Sequence, residues 1–255
     1  MYTVILSDDA VRVMVASALE AYSSPHGRSL DAEKHVPLET IGAVWGYETQ
    51  RNGQTCVHVV SADVETSAYR RPGSVRRKVE SFEIRQGFYQ FMNPEIQCLG
   101  DFHSHPWRRD EVGPNGKVLQ GPQDIEKQRL YRFSGEPIGA KGKPTGDYCL
   151  PSSVFPYRVG LVVTLYRMNN QVLDPLHRYI DGYSGFRFTY FGPIGFNDKG
   201  KLDRGGYRCW VKAHVFPNNE VTPVPDEDVQ LQCAALGFLP KIDFMSDNFG
   251  RSNSS

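Results

Sequence analysis

The chain has 255 residues, and 29 Lys and Arg balance 29 Asp and Glu, so the formal net charge is zero. That balance speaks against a protein held to nucleic acid or to an anionic membrane by bulk charge. A hydrophobic content of 40%, with 12% aromatics, argues against a disordered chain and suits one large domain, or one domain with decorations.

Taken in chain order, residues 3–7 form a short β-branched run that reads as a strand. Asp8 or Asp9 then caps a helix running to about Tyr22, with Val11, Val15 and Leu19 on one face. Residues 23–37 read as a loop. Strands are expected at 40–47 and 55–64, joined by a hairpin turn at Asn52-Gly53. Residues 75–91 have helical spacing, with Val79, Phe82, Ile84, Phe88 and Phe91 as the buried face. A strand at 95–103, a charged loop at 107–120, a short helix at 122–133 and a Gly- and Pro-rich loop at 134–156 follow. Loops of the last kind are often functional. The clearest buried strand is 157–168, and 186–190 and 207–215 add two more. Residues 217–228 read as a proline-rich acidic linker, and 245–255 as a frayed end. This order predicts an α/β (α+β) fold, a mixed sheet flanked by helices.

No stretch reaches the roughly 20 apolar residues that span a bilayer, and residues 1–9 lack the features of a signal peptide. The five cysteines are odd in number, scattered, and form no C-x-x-C pair. A cytoplasmic protein with reduced thiols and no membrane partner is therefore expected.

The segment that carries chemistry is Gly100-Asp101-Phe102-His103-Ser104-His105-Pro106. Residues at i and i+2 of a strand share a face, so His103 and His105 can converge on one metal ion. The same pair also reads as two partly exposed histidines at a strand end. Downstream, Gly121-Pro122-Gln123-Asp124 has Pro at a first helical position and puts Asp124 in the first turn. Two His and one Asp make a three-ligand set for catalytic zinc, with one position left for water. Asp124 alone reads as an ordinary first-turn acid. Upstream, Glu39 precedes the apolar run Thr40–Gly46. Gly42 and Gly46 are odd inside a strand and mark a bulge or a close backbone approach.

Together these elements resemble the JAMM (JAB/MPN) zinc metalloprotease family, in the manner of a bacterial or phage-like member. Glu39 with Gly42 and Gly46 matches its first element, His103-Ser104-His105-Pro106 its second, and Asp124 the last position of its third. The resemblance covers roughly residues 8–166. It implies a curved mixed sheet of the cytidine-deaminase-like JAB/MPN type. The corresponding domain spans 1–216, with insertions at 107–120 and 134–156, and 217–255 forms a linker and partly flexible extension. It also implies one zinc ion on His103, His105 and Asp124, with Glu39 as the base that handles the water's proton. The implied reaction is hydrolysis of a peptide or isopeptide bond in a protein or peptide substrate, such as the tail or conjugate of a ubiquitin-like protein. The family's oxyanion serine is Gly121 here, after a long gap of fifteen residues from His105. Zinc alone, a backbone N–H near Gly121, or an inserted residue would have to replace it. Ser104 and Trp107 are further candidates for oxyanion or substrate contact, although Ser104 should point away from the metal.

Weaker features remain. Asp101 reads as an acceptor for an imidazole N–H or as a surface carboxylate. Arg70, Arg71, Arg76, Arg77 and Lys78 read as a substrate-receiving cluster or as a solvated loop in which Arg77 and Lys78 pair with Glu80 and Glu83. Cys98 and Cys149 are weak candidates for a second zinc. The alternatives to a peptidase are a catalytically inactive MPN-type scaffold and a different zinc hydrolase.

Overall fold

The structure is a computed structural model that describes residues 1–24, 37–71, 74–113, 115–133, 154–168, 177–196, 202–220 and 222–238. β1 (Tyr2–Leu6) leads into α1 (Asp8–Ser23), and β2 (Ile41–Arg51) and β3 (Gln54–Val64) form a hairpin. A small second hairpin, β4 (Tyr69–Arg71) and β5 (Ser74–Arg76), precedes α2 (Val79–Met92), β6 (Gln97–Trp107) and α3 (Pro122–Lys127). β7 (Tyr157–Met168), β8 (Arg178–Ile180), β9 (Gly185–Phe196), β10 (Leu202–Pro217) and β11 (Val229–Cys233) follow. The expected mixed α/β class is observed. The loop expected at 23–37 lies mostly, and that at 134–156 almost wholly, outside the described residues, as does the end at 245–255.

Nine strands form one mixed sheet in the order β11-β1-β3-β2-β6-β7-β10-β9-β8. The sheet curls until the Leu231 N–H of β11 donates to the Tyr183 carbonyl in the β8–β9 turn, at 2.8 Å. Strand alternation separates two faces. Val159, Leu161, Val163 and Leu165 of β7 and Cys209, Val211, Ala213 and Val215 of β10 point inward, where α1 buries Ala10, Val11, Met14, Ala18 and Tyr22 against them. Ser7, rather than Asp8 or Asp9, caps α1, its Oγ accepting from the Ala10 N–H at 3.1 Å. The two aspartates fall in the first turn, where the helix dipole favours them. No described helix is long and apolar enough to cross a membrane.

Three expectations change. The helix in 75–91 begins at Val79, because 74–76 pair with β4. Its apolar residues lie on two sides, so periodicity alone does not choose the buried one. Phe82 and Tyr89 stack on Trp45, with ring centroids 6.2 and 4.2 Å away, whereas Val79, Ile84, Phe88 and Phe91 are exposed. The helix expected over 122–133 stops at Lys127, and Arg129 takes a left-handed φ of 55° that an α-helix does not continue through. Residues 217–238 are not a linker and extension. β11 pairs in parallel with β1, and Leu231 and Phe238 are buried in the main core.

The two motif glycines have a steric cause. A Cβ on Gly42 would lie 1.7 Å from the Asp63 carbonyl oxygen, and one on Gly46 would lie 1.7 Å from that of His58. The β2–β3 register shifts between Trp45 and Gly46, so a bulge and a close approach coincide. Gly46→Ala forces the hairpin apart and should lower stability by about 1–3 kcal/mol or more. Urea unfolding should show a lower midpoint, and an unchanged midpoint would refute the steric assignment.

Candidate active site

β6 lies between β2 and β7, and its pleat sends Asp101, His103, His105 and Trp107 to the outer face. His103 is opposite Ile41 on β2 and Val162 on β7, and His105 is opposite Thr164. Both imidazoles are buried, at 5% and 4% exposure. Their Nε2 atoms are 3.1 Å apart. That is the length of a direct imidazole–imidazole hydrogen bond, and it is also close to the roughly 3.3 Å between two nitrogens bound to one tetrahedral zinc at 2.0–2.1 Å.

The tautomer of His105 follows from its other nitrogen. Nδ1 lies 3.1 Å from the Leu130 carbonyl oxygen, which can only accept, so Nδ1 carries the proton and Nε2 presents a lone pair toward His103. The Trp107 indole N–H donates to the same carbonyl at 3.3 Å. Leu130 has its carbonyl available because the helix stops early; in a continued helix that oxygen would bond four residues onward.

Glu39 is placed by its neighbour. The Ser104 N–H donates to the Thr40 carbonyl and the Thr40 N–H donates to Ser104 Oγ, both at 2.9 Å. With Ile41 opposite His103 and Thr40 bonded to Ser104, half-buried Glu39 follows at the His105 end of β6. Ser104 itself faces inward and is 1% exposed.

Asp124 is carried on α3, above the same outer face, where Ile125 packs with Leu119, Leu130, Tyr166 and Trp210. Its Oδ2 accepts from the N–H groups of Gln120 at 2.8 Å and Gly121 at 3.2 Å, closing the helix N-terminus. Among the described residues, no three His, Cys, Asp or Glu side chains are arranged to share a metal ion. The structure thus brings two of the three expected ligands together, while one Asp124 oxygen serves its own helix. The Gly121 N–H is engaged in that cap, and a Cβ at Gly121 would meet only the Gln123 side-chain oxygen, at 3.0 Å.

Asp101 is not a surface carboxylate; it is 2% exposed. Arg77 is partly buried rather than solvated, its side chain 9% exposed, and its partner is Glu65 at 3.1 Å instead of Glu80 or Glu83. The same guanidinium donates to the Gly42 carbonyl at 3.0 Å and lies 3.9 Å from Asp101, tying β2 to β6. Lys78 Nζ sits over the Tyr69 ring. The Cys98 thiol is buried, which pushes its pKa up to about 12, away from ready metal ligation. Cys149 lies outside the described residues.

Sequence reasoning missed the supports. Glu126 of α3 accepts from Arg187 at 2.5 Å, Trp210 Nε1 at 3.2 Å and Arg178. Burial raises its pKa, but these donors outweigh burial and hold it below the usual carboxylate range. Asp181 accepts from Tyr131 at 3.0 Å and from Arg132 at 2.9 and 2.6 Å, and fully buried Lys212 lies 3.4 Å away. Lys212 also donates to Asp226 at 2.6 Å and to Ser184. No motif marks these residues. Only the Lys at 212 inside an apolar strand hinted at a buried partner.

Next to the pair, the Phe133 ring sits edge-on to His103 and to His214, with centroids 4.8 and 5.1 Å away. Gly160 makes the space, since a Cβ there would fall 2.4 Å from the ring. His214 is 5% exposed, and its Nε2 has no hydrogen-bond partner among the described residues. Burial, then the charges of Lys212, Arg132 and His103, push its pKa from 6.5 down to about 3. The unfolded chain therefore binds more protons at this residue between those values, and stability falls as pH drops from 6.5 toward 3. The slope from this group approaches about 1.4 kcal/mol per pH unit. Thermal unfolding of His214→Gln should be less pH-dependent than wild type over that window; parallel curves would contradict the assignment. No family model matches the chain, and no curated protein matches its sequence.

Proposed function

We propose that the chain is a zinc-dependent peptidase or isopeptidase. The observation that carries this reading is the 3.1 Å approach of the His103 and His105 Nε2 atoms, with the His105 proton held on Nδ1 by the Leu130 carbonyl. That is the arrangement by which metal-ligating histidines are usually oriented. The substrate class, a protein or peptide such as a ubiquitin-like tail or conjugate, rests on the resemblance of the Glu39, His103-Ser104-His105-Pro106 and Asp124 elements to the JAMM family.

His103 and His105 would hold the ion; Asp124, the third ligand that the resemblance implies, caps α3 in this structure and would have to move toward the pair to complete the set. Zinc bound there would polarise the substrate carbonyl and bring the pKa of its water toward about 7. Glu39, next to Thr40 at the His105 end of β6, would accept the proton of the attacking water and return it to the leaving amine, which requires hydrogen-bond reach of both. The N–H donors of Gly121 and Trp107 are engaged within the chain, and Ser104 faces inward, away from the histidine pair, so none of the three stands as a ready oxyanion donor. Carbonyl polarisation would then fall to the bound ion. Loss of one oxyanion donor slows such a reaction by about 10²–10³-fold.

Two observations favour a second reading, a non-catalytic scaffold of the same resemblance: an Asp124 oxygen serves the α3 cap, and Gly121 stands in place of the serine. Wild type and Glu39→Gln, each loaded with zinc, should be incubated with ubiquitin-like fusion proteins and followed by intact mass. We expect cleavage by wild type, a loss of about 10²–10⁴-fold in Glu39→Gln, and equal zinc content in both. Undiminished activity in the variant would remove Glu39 from the mechanism. Tight zinc binding without peptide cleavage would favour the scaffold, or a hydrolase for smaller amides.

A further inference from the structure

We infer that Asp181, in the β8–β9 turn, is a positioning residue that sets the tautomer and aim of His105 by gripping the two residues after Leu130. The inference rests on the reading of His103 and His105 as ligands. Asp181 lies outside the segment over which the family resemblance runs, and no motif includes it.

The chain of contacts is short. The Leu130 carbonyl belongs to the peptide that joins Leu130 to Tyr131. Asp181 Oδ1 accepts from the Tyr131 hydroxyl at 3.0 Å, and Oδ2 accepts from Arg132 Nε at 2.9 Å and Nη2 at 2.6 Å. One carboxylate therefore holds both residues on the C-terminal side of that peptide. On its N-terminal side, Ile125 and Leu130 are fixed in the small apolar cluster with Trp210 and Tyr166. Asp181 is itself held, since its carbonyl accepts from Ser184 Oγ at 2.9 Å across the tight turn and its carboxylate lies 3.4 Å from Lys212 Nζ. Arg132 is also bound by Asp226, which takes the second contact from Lys212. Two acids and two cations balance each other in this cluster, so it holds position without leaving a net buried charge.

The consequence is specific. A carbonyl fixed 3.1 Å from His105 Nδ1 requires the proton there and keeps Nε2 directed at His103. Loosening the 130–132 segment lets the imidazole exchange between tautomers. A general loss of stability alone would not do that in the folded protein.

The test uses the full chain with 15N-labelled histidine, metal-free, with His105 assigned by the signal lost in His105→Gln. Wild type should show Nδ1 protonated and Nε2 bare. Asp181→Asn should move both nitrogens toward a mixture, and it should weaken zinc affinity by about 10–100-fold, the usual effect of losing an orienting contact. Tyr131→Phe removes one of the three donors and should shift the same signals the same way by less, so the question stays answerable if Asp181→Asn does not fold. Arg158→Lys is the control: Arg158 is buried on the same face but donates to the Pro217 and Glu220 carbonyls, away from Leu130. An unaltered His105 tautomer and zinc affinity in a folded Asp181→Asn or Tyr131→Phe chain would overturn the inference, as would an equal shift in the control. If wild type binds no zinc, the functional reading fails, while the nitrogen signals still decide the role of Asp181.

Discussion

The hydrogen bond from His105 Nδ1 to the Leu130 carbonyl is the contact on which the outer face of the sheet turns. It makes a strand-borne imidazole directional, leaving one lone pair aimed at a neighbouring imidazole. Every element around it helps to fix one of its two ends. β6 is locked between β2 and β7, which fixes the histidine. The early stop of α3 and the apolar cluster around Ile125 and Trp210 fix the carbonyl. A buried carbonyl that accepts two donors, from His105 and Trp107, is fully satisfied, so it has no competing partner to turn toward.

The curl of the sheet explains how distant parts of the chain meet there. Its inner face is an apolar core around α1, and its outer face carries the polar side chains of β6, β7 and β10. Burying ions on that face costs desolvation, and the cost is offset only where partners are close and complete. Lys212 shows this balance: burial lowers its pKa, while Asp226 and Asp181 pull the other way. Such a cluster contributes little to stability by itself. Its effect is to specify one arrangement of the α3–Phe133 segment against β8–β10. The C-terminal half of the chain is therefore a brace for the histidine pair more than an addition beside it.

The sequence made one layer of this legible and hid the next. His103 and His105 were readable because a strand's period of two needs only local sequence, and Gly42 and Gly46 were readable because glycine inside a strand demands a steric reason. Tyr157–Met168 was readable as a strand buried on both faces. α2 was misread because Phe82 and Tyr89 on one side, and Ile84, Phe88 and Phe91 on the other, give two apolar faces. β11 was hidden because it is only five residues long and its pairing with β1 joins residues more than 200 positions apart, which no local window registers. Asp181, Asp226 and Glu126 are ordinary acids in sequence. Only tertiary proximity to Arg132, Lys212 and Arg187 gives them roles.

The central claim is that His103 and His105 face one ion. X-ray absorption at the zinc edge, on the full chain loaded with one equivalent of zinc, reads that directly. The account predicts two imidazole nitrogens at about 2.0–2.1 Å with oxygen completing the shell, and one imidazole fewer in His103→Gln. Sulfur in the shell, a single imidazole in wild type, or no retained zinc would contradict it.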